Sequence, residues 1–277
     1  MADRNLNPRQ WGTYFTEEGM QLLIPPSGFE VNGIPGKVDP FGESTTQQFP
    51  LGTKLVYADR EFRYARMGGT VGVAGNLYQS VVPLAGHIDE AVNTFAAAAT
   101  VIAFTPAVDA TDDLAANELQ DGYIYTNDDT GEGHLYRVKS HPAIAGAVSG
   151  NITLADPVVV AAVAATTCTV LHNPWRNVII HPSPPTAPIV GAAVRAVTAN
   201  SYCWLQVRGP CPILTDGTVV IGEDVVASDA TDGAVEPADL ALTEAAPPTG
   251  HGERHLGFVL AVNATTEYSL VWLNLEK

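Results

Sequence analysis

Lysine is nearly missing from this chain of 277 residues, occurring only at positions 37, 54, 139 and 277. Lys plus Arg total 14 against 30 Asp plus Glu, for a formal net charge of -16. Such a chain repels a phosphate backbone instead of gaining affinity from counterion release, so nucleic acid is excluded as the expected partner. Cysteine is equally sparse. Cys168, Cys203 and Cys211 form an odd count with no Cys-x-x-Cys pair, which argues against a disulfide framework and a structural zinc site. They read as small buried hydrophobes. No apolar run reaches the roughly 18 to 20 residues that span a bilayer, and the opening Met-Ala-Asp-Arg-Asn-Leu-Asn-Pro lacks the basic-then-apolar order of a secretory signal. The expectation is a soluble protein made in a cytoplasm, with no membrane partner.

What is present is enough apolar material to fold. Hydrophobic residues are 46% of the sequence, which supplies surface to offset the entropy of ordering the chain. The length allows one large β domain or two modest ones, and two are expected, over 51–182 and 189–277. Ahead of them, residues 1–50 hold Pro8, Pro25, Pro26, Pro35, Pro40 and Pro50 with six glycines, a composition hostile to a long helix or a paired central strand. An extended arm is expected there. Its aromatics, Trp11, Tyr14, Phe15, Phe29 and Phe41 among them, are too many for a solvated linker, so the arm is expected to bury them on its own domain, a sister subunit or another protein.

From residue 51 the pattern becomes strand-like. Leu55 and Tyr57, then Phe62 and Tyr64, alternate around Ala58-Asp59-Arg60 and predict a β-hairpin over 54–66. The glycines of 68–77 are too scattered for a phosphate loop and read as turns and bulges. Residues 88–99 are the one helix candidate, with Asp89 and Glu90 in its first turn. Short strands are predicted over 101–104, 122–125, 134–138, 152–154 and 169–171, with Asn127-Asp-Asp-Thr-Gly-Glu-Gly133 turning a hairpin. After the proline cluster His181-Pro-Ser-Pro-Pro-Thr-Ala-Pro188, read as an extended connector, further strands are predicted over 193–197, 202–208, 218–221, 224–227, 255–262 and 268–275. Strands this dense, without intervening helices, imply an all-β protein of two sandwich- or barrel-like domains with at most one short helix.

Chemistry-bearing patterns are weak. His251-Gly-Glu-Arg-His255 has histidines at i and i+4, but Pro247, Pro248, Gly250 and Gly252 preclude the shared helical face that a zinc pair needs. The acidic turns 109–113, 127–132 and 228–233 lack the spaced oxygens of a helix-loop-helix calcium site. No Gly-x-Ser-x-Gly or reactive-cysteine signature occurs, and the carboxylates fall in turns, where solvation keeps them ordinary. Tyr202, Trp204 and Trp272 are candidates for a sugar-stacking platform, although Tyr202 and Trp204 share one strand face, where core packing explains them more simply. No catalytic residue, metal or cofactor is expected.

Three carboxy-terminal blocks carry a resemblance: Ser201-Tyr-Cys-Trp-Leu-Gln-Val-Arg-Gly-Pro210, the run from Ile213-Leu-Thr-Asp-Gly-Thr-Val-Val-Ile-Gly222 to Val235, and Leu256-Gly-Phe-Val-Leu-Ala-Val262 with Glu267-Tyr-Ser-Leu-Val271. Together with residues 127–141 and Asn173-Pro-Trp-Arg-Asn-Val178, they resemble tailed-bacteriophage head decoration (cement) proteins over roughly residues 50–277. The resemblance implies a non-enzymatic, β-rich virion subunit on the outer capsid surface. Such a subunit is commonly a homotrimer and clamps the major capsid protein lattice. The competing expectation is a phage tail-fibre or baseplate module that binds host glycan through its Tyr and Trp residues. Fibres usually show repeats or heptads, and this chain has neither.

Overall fold

The computed structural model describes residues 12–27, 37–92, 94–108, 112–238, 254–264 and 266–276. Among these residues the first half forms β1 (Gly12–Phe15), β2 (Gln21–Ile24), β3 (Lys54–Tyr57), β4 (Arg60–Arg66), β5 (Leu77–Gln79), β6 (Glu90–Ala91), β7 (Val101–Phe104), β8 (Tyr123–Thr126) and β9 (Leu135–Ser140). The second half adds β10 (Gly150–Leu154), β11 (Thr167–Leu171), β12 (Ile179–Ile180), β13 (Ile189–Ala193), β14 (Tyr202–Leu214), β15 (Asp224–Ala227), β16 (Val235–Pro237), β17 (Gly257–Ala261) and β18 (Tyr268–Asn274). Among the described residues strands take 42% and helix 2%, with no helix of seven residues or more, so the protein is all-β.

The chain packs as two compact units. Among the described residues, the inserted unit comprises 25–27 and 82–174, and the main unit 12–24, 37–81 and 175–276. These divisions lie elsewhere than at residue 50 and between 182 and 189, and the proline cluster connects β12 to β13 inside the main unit. Local composition carries no trace of pairing between strands as distant in sequence as β4 and β14.

The inserted unit carries a curled six-stranded sheet in the order β6-β11-β8-β9-β10-β7. A bridge between Val92 and Phe104 draws its two ends toward each other. Alternation along the strands sends Phe104, Ile124, Val138, Ile152 and Val170 into one buried core. The predicted helix over 88–99 does not form. Asp89 takes a left-handed φ of 60°, Glu90 and Ala91 pair with β11, and Phe95 bridges Ala162. A 3-10 turn over Ala85–His87 precedes this segment.

The main unit is a twelve-stranded sheet whose path runs β1-β2-β3-β4-β14-β18-β17-β15-β16, with β13, β5 and β12 branching from β14. The arm expected over 1–50 gives way, over residues 12–24 and 37–50, to structure within this unit. The stretch between Pro8 and Pro25 is free of proline, and its residues 12–24 fold as the β1–β2 hairpin, with β2 paired on both sides. Leu22, Ile24 and Phe49 join one buried cluster with Leu55, Phe62, Tyr64 and Trp204. Pro25 follows β2 and Pro50 precedes β3, so neither interrupts a strand.

Strand β14 holds the sheet together over 13 residues. It pairs with β4 up to Arg208 and with β18 from Arg208 onward. Pro210 and Pro212 are tolerated in this second half because their missing N–H groups point away from β18. Leu214, of the same parity, donates its N–H to Gly75 on that far side at 2.9 Å. There the buried Gln206 amide donates to the carbonyls of Arg208 (3.1 Å) and Pro210 (2.9 Å), replacing a strand partner. Gly209, at φ 89°, lets β14 pass the β3–β4 turn, where an added Cβ would meet the Asp59 carbonyl at 2.4 Å.

Candidate functional site

The β3–β4 hairpin of the main unit turns through Ala58 and Asp59, with Tyr57 and Arg60 paired across it. Arg60 lays its guanidinium over three rings, 5.3 Å from the centre of Phe41, 5.4 Å from Tyr57 and 5.6 Å from Phe62. Phe62 is fully buried beneath, whereas Phe41 and Tyr57 remain 39% and 38% exposed. The face of each ring is electron-rich, so a cation above it is attracted by about 0.5–1 kcal/mol at an exposed site. The outcome is an aromatic surface patch built around one positive charge.

The loop that carries Phe41 is tied down. Arg195 donates to the Phe41 carbonyl at 2.8 Å and lies 3.7 Å from the Glu43 carboxylate. Glu43 also accepts from the Thr198 N–H at 2.8 Å and from its hydroxyl at 3.2 Å. The Thr198 N–H is the main reason the Glu43 carboxyl sits below its ordinary value. Desolvation works against it, and the Thr198 hydroxyl and Arg195 assist.

Beside this loop lies a cleft of about 220 Å³. The β4–β14 register makes it: Trp204 faces Tyr64 and Tyr202 faces Arg66, so Tyr64, Tyr202 and Trp204 share one sheet face. Tyr64 and Tyr202 stack at 5.9 Å with 11° between their planes, and Phe49 meets Tyr64 edge-on at 5.3 Å. Burial raises the Tyr64 phenol above its ordinary value, and its oxygen accepts from the Gln48 N–H at 3.1 Å. The opposite wall is the 37–48 loop, with Lys37, Asp39, Ser44 and Gln48. Reciprocal backbone bonds fix this wall to the start of β14, from Ser44 N–H to Tyr202 at 2.9 Å and from Tyr202 N–H to Ser44 at 2.7 Å.

The residues singled out from sequence scatter. Trp11 and Phe29 lie outside the described residues. Tyr14 packs half-buried against the main-unit core, and Phe15, at the end of β1, is 73% exposed. Only Phe41 enters the Arg60 patch. Tyr202 and Trp204 meet in the cleft, but Trp272 stacks on Phe258 across β17 and β18 at 6.2 Å. The sequence reading missed Arg60 as an aromatic-bound cation, and Phe49, Tyr64 and Gln48 as cleft residues. The alternation of Phe62 and Tyr64 pointed to a shared face, yet only the register against β14 shows what that face meets.

The polar candidates have structural occupations. His255 faces the Asp224 carboxylate at 3.2 Å, while His251 and Glu253 fall outside the described residues. Among the acids, Asp113 accepts from Gly146 N–H at 2.6 Å and Asp128 from Thr167 N–H at 3.1 Å. Among the described residues no group of three or more His, Cys, Asp or Glu side chains is placed to hold a metal ion. The three thiols are free and buried, and desolvation pushes each up to about 12. Compared with protein-family models, curated proteins and solved structures, the chain matches none.

Proposed function

We propose that this chain is a structural virion protein that decorates and stabilises a tailed-phage head by binding the major capsid protein lattice on its outer surface. In this reading it acts by association alone, as a homotrimer, and performs no chemical step. The observation that carries the reading is the Phe41–Tyr57–Arg60 patch. Aromatic residues and arginine are enriched in the cores of protein–protein interfaces and dominate their energetics. Here they stand partly exposed and already held in position, which lowers the ordering cost of docking. The resemblance of the carboxy-terminal blocks to head decoration proteins supports the same reading, and the net charge of -16 suits a particle that must stay dispersed.

The physics of cementing is mass action. A subunit that binds the assembled lattice better than free capsid protein shifts the equilibrium toward the shell. Repetition by symmetry then multiplies a modest affinity at each contact. The test is size-exclusion of the purified chain with expanded, undecorated capsids. Co-migration with the particles supports the proposal. Elution as free protein at saturating capsid concentration refutes it.

A further inference from the structure

We infer that the cleft between the 37–48 loop and the Tyr64–Tyr202–Trp204 face is a binding site for a single sugar ring, at the end of a glycan chain. Its volume of about 220 Å³ falls below the roughly 300 Å³ at which pockets for drug-sized ligands begin. The space suits one pyranose and excludes an extended molecule. A pyranose has an apolar side, made of C–H bonds, and a rim of hydroxyls. The C–H side packs against aromatic faces, whose negative quadrupole attracts weakly positive hydrogens. Tyr202 and Trp204 supply aromatic lining, held by their contacts with Tyr64 at 5.9 and 5.0 Å.

The polar wall matches hydroxyls better than it matches a charged ligand. A sugar hydroxyl both donates and accepts, so it needs both kinds of partner. Asp39 and the Gln48 side-chain carbonyl offer acceptors, and Lys37 and the Gln48 amide offer donors. Trp204, only 4% exposed, lines the buried side of the cleft. A cation is disfavoured because Lys37 stands in the lining, and the Glu43 carboxylate is already occupied by Thr198 and Arg195. The wall is preorganised by the paired bonds between Ser44 and Tyr202, so binding orders little new structure.

The experiment is a titration of the full chain with N-acetyl-D-glucosamine, D-galactose and D-mannose, read by saturation-transfer NMR and tryptophan fluorescence. At least one sugar should bind with a dissociation constant on the order of 1 mM. Tyr202→Ala should weaken that binding by about tenfold or more. Gln48→Ala, on the exposed rim, should also weaken it, and guards against a Tyr202 variant that misfolds. No binding by any of the three sugars would overturn the inference, as would full affinity in both variants. Binding of choline chloride without any sugar would overturn it too, by making the cleft a cation cage. Capsid co-migration of the same variants is read in parallel, so failure of the sugar site stays distinct from failure of the decoration reading.

Discussion

Arg60 and Phe41 meet across 19 positions of sequence, the guanidinium carbon 5.3 Å from the ring centre. The contact joins the tip of the β3–β4 hairpin to the loop that Arg195 and Thr198 anchor, so two separate segments present one surface.

If that surface is where the capsid binds, truncating it should weaken binding without unfolding the protein. Hot-spot side chains cost about 2 kcal/mol or more when cut back, roughly 30-fold in affinity. Arg60→Ala and Phe41→Ala are each expected to approach that loss in capsid co-sedimentation. Thermal unfolding should change little, since an exposed cation–π contact contributes only about 0.5–1 kcal/mol. Full capsid occupancy by both variants would remove the patch from the interface.

The thiols set a pH limit on stability. Cys168, Cys203 and Cys211 each rise from 9.0 to about 12 on folding, because burial penalises the thiolate. A pKa raised in the folded state means that the folded chain holds its protons where the unfolded chain releases them. Their contribution is complete below pH 9 and declines as pH climbs toward 12. Urea midpoints measured from pH 7 to 11 should be level at first and then fall. Serine in place of all three should flatten the alkaline decline. Iodoacetamide at pH 8 should label the native chain far more slowly than the urea-unfolded one.

Gly209 tests the crossing of β14 past the hairpin turn. Alanine there combines a φ of 89° with a Cβ that would meet the Asp59 carbonyl at 2.4 Å. A cost of at least about 2 kcal/mol follows. Gly217 shares a positive φ of 73°, but its Cβ would find Pro237 at an ordinary 3.6 Å. Gly217→Ala should therefore cost about 1 kcal/mol, for conformation alone. Equal shifts in the two variants, measured by urea unfolding, would contradict the close approach.

In the inserted unit, His141 accepts from the Leu119 N–H at 2.9 Å through Nε2 and donates from Nδ1 to the Pro142 carbonyl at 2.7 Å. Leu119 is fully buried. His141→Leu strands that N–H without an acceptor and should destabilise by about 1–3 kcal/mol. Hydrogen exchange should localise the effect, with faster exchange at Leu119 and unchanged protection along β14.

The strands were legible where period two and turn residues agreed. The hairpins at 54–66 and around Asn127–Gly133 formed where Ala58-Asp59 and the Asn-Asp-Gly run sat between alternating apolar residues. Residues 218–221 misled in the other direction. Thr-Val-Val-Ile is strongly strand-forming, but Gly217 and Gly222 both take positive φ and turn the chain, leaving Val220 and Ile221 58% and 64% exposed. The candidate helix failed because Val92 and Phe95 pair with β partners that local propensity does not register. The cleft was half visible. The spacing of Tyr202 and Trp204 announced a shared face, while Tyr64 and the 37–48 loop arrive only through long-range register.

Imaging intact virions by electron cryomicroscopy tests the central claim most directly. The account predicts density fitting the twelve-stranded and six-stranded units at symmetry-repeated positions on the outer face of the shell, touching the major capsid protein. Density for this chain found only in the tail or baseplate, with a bare outer shell, would contradict it.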